Sequence, residues 1–333
     1  MNTLNDTVLV TGGTGLVGSY LIRDLVQKGY TVKAIRRRKI LPFYIEAPIL
    51  DKVQWIEGDI MDTGLLSEAM EQTDTVVHAA ANVSFSDWNP DEMMRINVDG
   101  TANVVNAAIE NNISRFVHIS SVAALGKNKN IVVTEKQVWE DSKQNTNYAI
   151  SKYHGEMEAW RGIAEGLNGI IVNPSTILGY GDWNSSSNAL FKNAYKGFPW
   201  YTNGINGFID VQDVSRAVVA LMQSGITGER FILNSENWSY KQLLDALADG
   251  FGKKRPHLLA TPFLSGLAWR AEKIKTIFTG KRSLLTRESA KVGRRHAEYD
   301  NSKILNTFPG FRFKPLQDTI REACQKYMQH LQV

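Results

Sequence analysis

A single cysteine, Cys324, stands in a chain of 333 residues. One thiol cannot close an internal disulfide or build a cysteine-rich zinc site, so a reducing, cytoplasmic setting is expected. Histidine is scarce as well: there are six, none in an HExxH arrangement, and no metal is expected. No long uncharged apolar run appears, so no membrane-spanning helix is expected either. The opening MNTLNDT is polar and lacks the basic-then-apolar pattern of a secretory leader. With 43% hydrophobic and 22% charged residues, the composition is that of a globular protein with one large α/β domain and a smaller lobe.

Charge of one sign is not in large excess either, since 38 Lys and Arg against 34 Asp and Glu leave a net +4. The excess is uneven. One basic block is RRRK, Arg36 to Lys39, and a second runs from KKRP at Lys253 to GRRH at His296. The second reads as a solvated face, because nucleic acid or anionic lipid would call for a recognition motif that does not accompany it. A small molecule, and no nucleic acid, is the expected partner.

What the chain does have is glycine in one place. LVTGGTGLVGSYL, residues 9–21, sets four glycines between an apolar run and a stretch with helical apolar spacing. Short β-rich runs then alternate with helical patterns: YTVKAIRR, VQWIEGD, TDTVVHAAA, RFVHISS and NGIIVNPSTILG. Strands separated by helices predict an α/β fold, a doubly wound parallel sheet of the Rossmann type with a smaller, mostly helical C-terminal lobe. Residues 1–178 are expected to form the dinucleotide-binding domain, with the sheet completed by residues 205–235, where GFIDVQDVSRAVVALM and GERFILN look like returns to it. Residues 179–204 and 236–333 are then the substrate-binding lobe, closing over the carboxyl edge of the sheet.

Glycines between a strand and a helix that open a βαβ unit have a physical use. Gly12 permits the tight turn, Gly15 lets a pyrophosphate approach the helix N-terminus at Leu16 and Val17, and Gly18 lets the helix pack close to the strand. The second strand speaks to which dinucleotide. An NAD site offers a carboxylate about 20 residues on; here stand Ile35, Arg36, Arg37 and Arg38, with no acid. An arginine fork suits a 2′-phosphate, so NADP is favoured. The alternative is that one arginine stacks on adenine and NAD serves too.

NYAISKYHGE places Tyr148 and Lys152 four apart, on one helix face. A nearby ammonium, together with the positive nicotinamide ring of a bound cofactor, is expected to pull the phenol's pKa down from about 10, towards use as a proton donor and acceptor. The spacing alone is weak, since YDNSK repeats it at Tyr299 and Lys303. Context separates the two: HISSV brings Ser120 and Ser121 to the same sheet edge as Tyr148, where a hydroxyl can hold a reacting oxygen.

Taken together and in order, TGGTGLVGSYL, GDI at Gly58–Ile60, HAAA at His78–Ala81, INVDGT around Asn97, SSV, YAISK, NPSTILG and DVQDVSRA resemble the extended short-chain dehydrogenase/reductases along nearly the whole chain. That resemblance implies that Asp59 and Ile60 border adenine and that Ala79, Ala80 and Ala81 give the cofactor room. It also puts Asn97 at the site and Pro174 after the strand beside nicotinamide. It implies Ser121, Tyr148 and Lys152 as catalytic residues, with Lys152 also holding the nicotinamide ribose, and it implies a homodimer through the helices near residues 98–112 and 148–164.

Within the family, the 4,6-dehydratases carry an Asp-Glu pair after the catalytic Ser or Thr, where this chain has Val122 and Ala123. Many sugar-nucleotide epimerases have an arginine before the strand that here follows GING. The chain looks closer to the dihydroflavonol reductase and 3β-hydroxysteroid dehydrogenase branch, alignment with which puts Arg37 on the 2′-phosphate. Phe85, Trp183, Trp200 and Tyr201 are candidates to line an apolar or aromatic substrate pocket, or else pack the two lobes together. The expected function is NADP-dependent interconversion of a carbonyl and a secondary alcohol. An NAD-dependent sugar epimerase and a non-enzymatic cofactor sensor are the alternatives.

Overall fold

The computed structural model describes residues 6–83, 89–126, 132–143, 145–261 and 293–331. In chain order the first half comprises β1 (Thr7–Thr11), α1 (Leu16–Gln27), β2 (Thr31–Arg36), α2 (Ala47–Leu50), β3 (Gln54–Glu57), α3 (Thr63–Met70) and β4 (Thr75–His78). Then come α4 (Pro90–Met94), a π-turn (Arg95–Asp99), α5 (Gly100–Glu110), β5 (Arg115–Ile119), a 3₁₀ turn (Val122–Leu125), α6 (Asn147–Ala164) and β6 (Gly169–Pro174). The rest of the chain adds β7 (Thr176–Leu178), α7 (Ala189–Tyr195), β8 (Trp200–Tyr201), β9 (Ile205–Asp210), α8 (Val211–Met222), β10 (Glu229–Leu233), β11 (Glu236–Ser239), α9 (Tyr240–Gly250) and β12 (Leu258–Leu259). Two further helices, Ser302–Thr307 and Leu316–Leu331, follow near the C-terminus.

Seven strands form one parallel sheet in the order β10-β6-β5-β4-β1-β2-β3. Its strands read as continuous apolar runs because both faces are covered. Val8 and Val10 face a layer containing Leu21 and Leu25 of α1 and Val214 and Val218 of α8. Leu9, Val76 and Phe116 face the opposite layer, with Val104 and Val105 of α5 and Ala159 of α6. From β1 the chain builds outward to β2 and β3, then returns to the other side with β4. The order therefore reverses between β1 and β4, which opens a crevice at their carboxyl ends.

GERFILN does join this sheet, as β10 beside β6. GFID does not. As β9 it pairs antiparallel with β11 and parallel with β7 in a separate three-stranded sheet. Pro174 has no N–H to donate, and after it the chain leaves the large sheet to start β7. Asp210 then ends β9 by capping α8, its Oδ1 accepting from the Gln212 N–H at 2.7 Å. The C-terminal part has its own core, where Phe191, Phe208, Leu247, Ile320 and Cys324 are buried together.

Candidate active site

The crevice between β1 and β4 is built by close backbone approach. Gly12 has φ +69°, and a Cβ there would come within 2.7 Å of the Ala80 backbone. A side chain at Gly18 would meet the Gly12 carbonyl oxygen at 2.3 Å, so the first turn of α1 sits directly on the loop before it. Gly15 differs from both: it is exposed, and a Cβ there would touch only the Gly12 carbonyl at 3.2 Å. It is the N-cap of α1, with no side-chain cap bond. The open N–H groups that begin at Leu16 and Val17, with the positive end of the helix dipole, suit an anion.

Beside this turn, Thr11 Oγ1 accepts from the Ala80 N–H at 3.2 Å and lies 2.7 Å from His78 Nδ1. His78 Nε2 in turn lies 3.0 Å from Thr101 Oγ1. Ala79, Ala80 and Ala81 are half-buried along the crevice wall. Asn97 sits in the π-turn, a helix irregularity frequent at functional sites. Its amide takes the Asn82 N–H at 2.7 Å and donates to the Asn82 carbonyl and to Ser151 Oγ, each at 3.0 Å. At 2% exposure, Asn97 thus acts on the crevice by fixing the loop after β4.

At the far end of β2, the Arg36 guanidinium lies 5.6 Å from the centre of the Trp55 ring, and its Nε is buried with no hydrogen-bond partner among the described residues. Arg37 points outward and approaches Asp59 at 3.9 Å, both well exposed. An exposed pair of that length is weak and easily redirected. Ile60, next to Asp59, is buried. The residues fit a dinucleotide: an uncapped helix end with a bare glycine at one place, and two arginines at the end of the next strand.

On the other side of β4 the three expected residues meet. Ser121 caps the 3₁₀ turn, its Oγ accepting from the Ala123 N–H at 3.1 Å. The Tyr148 phenol is hydrogen-bonded to the Ser121 side chain, and the residue as a whole is half-buried. Lys152, one turn on in α6, donates from Nζ to the Ile119 carbonyl at the end of β5, at 3.1 Å. Ser120, by contrast, turns away and donates to Glu156 Oε2 at 2.6 Å. The second Tyr–Lys spacing makes no such site: Lys303 donates to Glu229 Oε2 at 2.6 Å and to the Arg230 carbonyl at 2.7 Å.

The protein's own groups, without the nicotinamide ring, push the phenol the other way. Burial raises the Tyr148 pKa, and the Ser121 hydrogen bond only partly offsets this. The ammonium meant to lower it is itself buried, and Lys152 falls to about 8. Burial is the larger effect on each group, and it favours the neutral form of both. His78 and His118, with ring centres 5.3 Å apart on neighbouring strands, are likewise kept neutral by burial and by Lys152, His78 falling to about 3.

The aromatic candidates are scattered. Trp183 stacks on Tyr327 of the C-terminal helix, with ring centres 5.4 Å apart, in the core of that lobe. Trp200 and Tyr201 form β8, paired with β12, and Lys241 Nζ lies 5.1 Å from the centre of the Tyr201 ring. Pro174 ends β6 opposite Leu233. Phe85 lies outside the described residues. Glu156 was not anticipated from the sequence, although KYHGE carried a signal, a carboxylate one helical turn after the lysine.

A parallel sheet with a bare glycine turn at its switch point and a Ser–Tyr–Lys cluster beside it defines a nucleotide-dependent oxidoreductase. The match to the NAD dependent epimerase/dehydratase family spans residues 8–233, and the chain belongs to that family, the extended short-chain dehydrogenase/reductases. It is accordingly an NAD(P)-dependent enzyme of that type. A Synechocystis sp. protein named as a dihydroflavonol 4-reductase, an assignment provisional in that protein itself, is 30% identical over 338 residues, covering 98% of this chain and 95% of that one. Cinnamoyl-CoA reductase 1 of Petunia hybrida is 30% identical over 240 residues, covering 68% of this chain and 71% of its own. The crystal structure of gox2253 superimposes with a TM-score of 0.79 at 27% identity, covering 98% of this chain and 99% of that one. Among the described residues no helix is long and apolar enough to cross a membrane.

Proposed function

We propose that the protein is an NADP-dependent reductase that interconverts a carbonyl and a secondary alcohol on a small apolar or aromatic substrate. The observation that carries this is the hydrogen bond between the Tyr148 phenol and Ser121, with Lys152 one turn further along α6. A phenol held protonated by burial is in the right state to donate to a carbonyl oxygen. Ser121 holds that oxygen beside the phenol, and the Lys152 ammonium stabilises the phenolate left behind. NADPH, when bound, supplies the hydride. Gly12, Gly15, Leu16 and Val17 would hold its diphosphate, Asp59 and Ile60 its adenine, and Arg36 and Arg37 its 2′-phosphate, with Lys152 on the nicotinamide ribose.

Reductase names among the relatives support this choice over an epimerase, as does GING where many epimerases have an arginine, while Val122 and Ala123 after Ser121 speak against a dehydratase. In the same proposal the working form is a cytoplasmic homodimer joined through residues 98–112 and 148–164, a surface on which Met157 is 44% exposed; light scattering tests it. The decisive experiment is a screen of aldehydes and ketones followed by NADPH absorbance. Turnover that consumes NADPH stoichiometrically supports a reductase. NAD that stays bound through purification, with no net consumption of nicotinamide, would replace the proposal with an epimerase.

A further inference from the structure

Behind the Ser–Tyr–Lys cluster lies a second, fully internal one. Glu156 is 2% exposed, yet its carboxylate accepts four hydrogen bonds, from the end of β5, from β6, from β10 and from its own helix α6. Ser120 Oγ and Asn173 Nδ2 each donate to Oε2 at 2.6 Å. Arg230 Nη1 donates to Oε1 at 3.1 Å and Trp160 Nε1 at 3.3 Å. Asn173 Nδ2 also donates to the Ser121 carbonyl at 3.0 Å, so the carboxylate and the residue that carries the hydroxyl share one donor. Arg230, on β10, is the counter-ion. Its remaining nitrogens donate to the Glu135 carbonyl at 2.8 Å and the Gln137 carbonyl at 2.6 Å.

A buried ion pair costs more in desolvation than a packed apolar pair of similar size, so fold stability alone gives little reason for it here. Its position gives a better one. Glu156 is one helical turn after Lys152 on α6, and the two side chains share a face. The other groups facing Lys152 are His78 from β4, His118 and the Ile119 carbonyl from β5, and Tyr148 from α6 itself. Both histidines are held neutral by burial. The π-turn and α5 present Asn97 and Thr101, which do not titrate. Glu135 has its carboxylate on the Ile232 N–H at 2.9 Å. Glu156 is thus the anion that favours a charged Lys152, and Arg230 is its counter-ion.

We propose that Glu156 is a positioning residue for Lys152 and Ser121: its carboxylate is the counter-charge one helical turn from the Lys152 ammonium, its hydrogen bonds fix the strand end that carries Ser121, and Arg230 tunes its field. This inference rests on the function proposed above only in giving Lys152 a catalytic role. The electrostatic part stands without it.

The test is therefore made on the whole chain without cofactor. The Nζ resonance of Lys152 is followed by NMR against pH in protein labelled with ¹⁵N-lysine, and assigned through Lys152→Arg. Glu156→Gln is expected to lower the titration midpoint by about one to two pH units, the scale of one neighbouring charge in a partly polar interior. Arg230→Gln is expected to raise it. Trp160→Phe, which removes a neutral donor to the same carboxylate, is expected to leave it in place. Shifts of opposite sign from the two partners of one ion pair cannot come from loosened packing. If Glu156→Gln leaves the midpoint unmoved, or all three variants lower it alike, the proposal is overturned. Where Glu156→Gln does not fold, the upward shift in Arg230→Gln decides. The expected shifts without NADPH turnover of any carbonyl would uphold this inference and remove the reductase proposal instead.

Discussion

The α-carbon of Gly18 faces the carbonyl of Gly12 so closely that a methyl group on it would lie 2.3 Å from that oxygen. The neighbour is backbone, which cannot swing aside like a flexible side chain. Gly18→Ala must therefore push α1 off the loop that precedes it. The expected cost is about 1–3 kcal/mol, typical of overpacking a filled interior, with a comparable loss of coenzyme affinity because the helix N-terminus moves. Urea unfolding and NADPH fluorescence titration read the two effects, and wild-type values for both would show that the turn has slack. Gly15→Ala, whose added methyl meets only the Gly12 carbonyl at 3.2 Å, is expected to spare stability while weakening coenzyme binding.

Tyr148→Phe removes one hydroxyl from a half-buried site and leaves Ser121 without its phenol partner. General acid catalysis contributes about 10²–10⁴-fold, so carbonyl reduction is expected to fall by at least the lower figure. NADPH affinity is expected to change little, because the glycine turn and the arginines are untouched. Rates from NADPH absorbance and affinities from fluorescence separate the two. A variant that turns over normally takes Tyr148 out of the chemistry.

Arg37 is exposed and, among the described residues, is paired with Asp59 at 3.9 Å. A surface pair of that kind is worth little to stability, so Arg37→Ala is expected to unfold at the wild-type denaturant concentration. Its effect belongs to the 2′-phosphate. The loss of a charge-assisted contact, about 1.5–3 kcal/mol, is expected to weaken NADPH tenfold or more and NADH hardly at all. Equal losses for the two coenzymes would mean that Arg37 does not touch the phosphate.

The features that could be read from residue order were those that local geometry settles. The glycine turn was legible because strand, turn and helix are neighbours in the chain. Tyr148 and Lys152 were legible because four residues make one helical turn. Features that need distant segments were not. GFID is as apolar as any strand of the large sheet, and only the partners available to β9, β7 and β11, place it elsewhere. Glu156 was visible as an i+4 carboxylate, but its importance depends on Arg230, 74 residues away. The direction of the Tyr148 shift set by the protein's own groups was missed because spacing reveals an attractive neighbour, whereas burial, the larger effect here, belongs to the folded whole.

His118 extends that point to pH. Both its ring nitrogens are buried without a hydrogen-bond partner among the described residues, and burial holds its pKa well below the ordinary 6.5 of an imidazole. Below about pH 6.5 the unfolded chain takes up a proton at this position, while the native chain does not. More protons bound by the unfolded state mean that stability falls as pH falls. His78, held down to about 3, acts in the same direction over the window from 6.5 to 3. Acid unfolding is therefore expected to begin above the carboxylate range, with each histidine adding up to about 1.4 kcal/mol per pH unit to the slope. His118→Phe fills the same space with a ring that needs no partner, so it is expected to match or exceed wild-type stability at pH 7. Between pH 6 and 4 it should lose one proton's worth of the slope. Urea midpoints measured across that range for the two proteins check this, and parallel curves would show that His118 takes up its proton equally in the folded and unfolded chain.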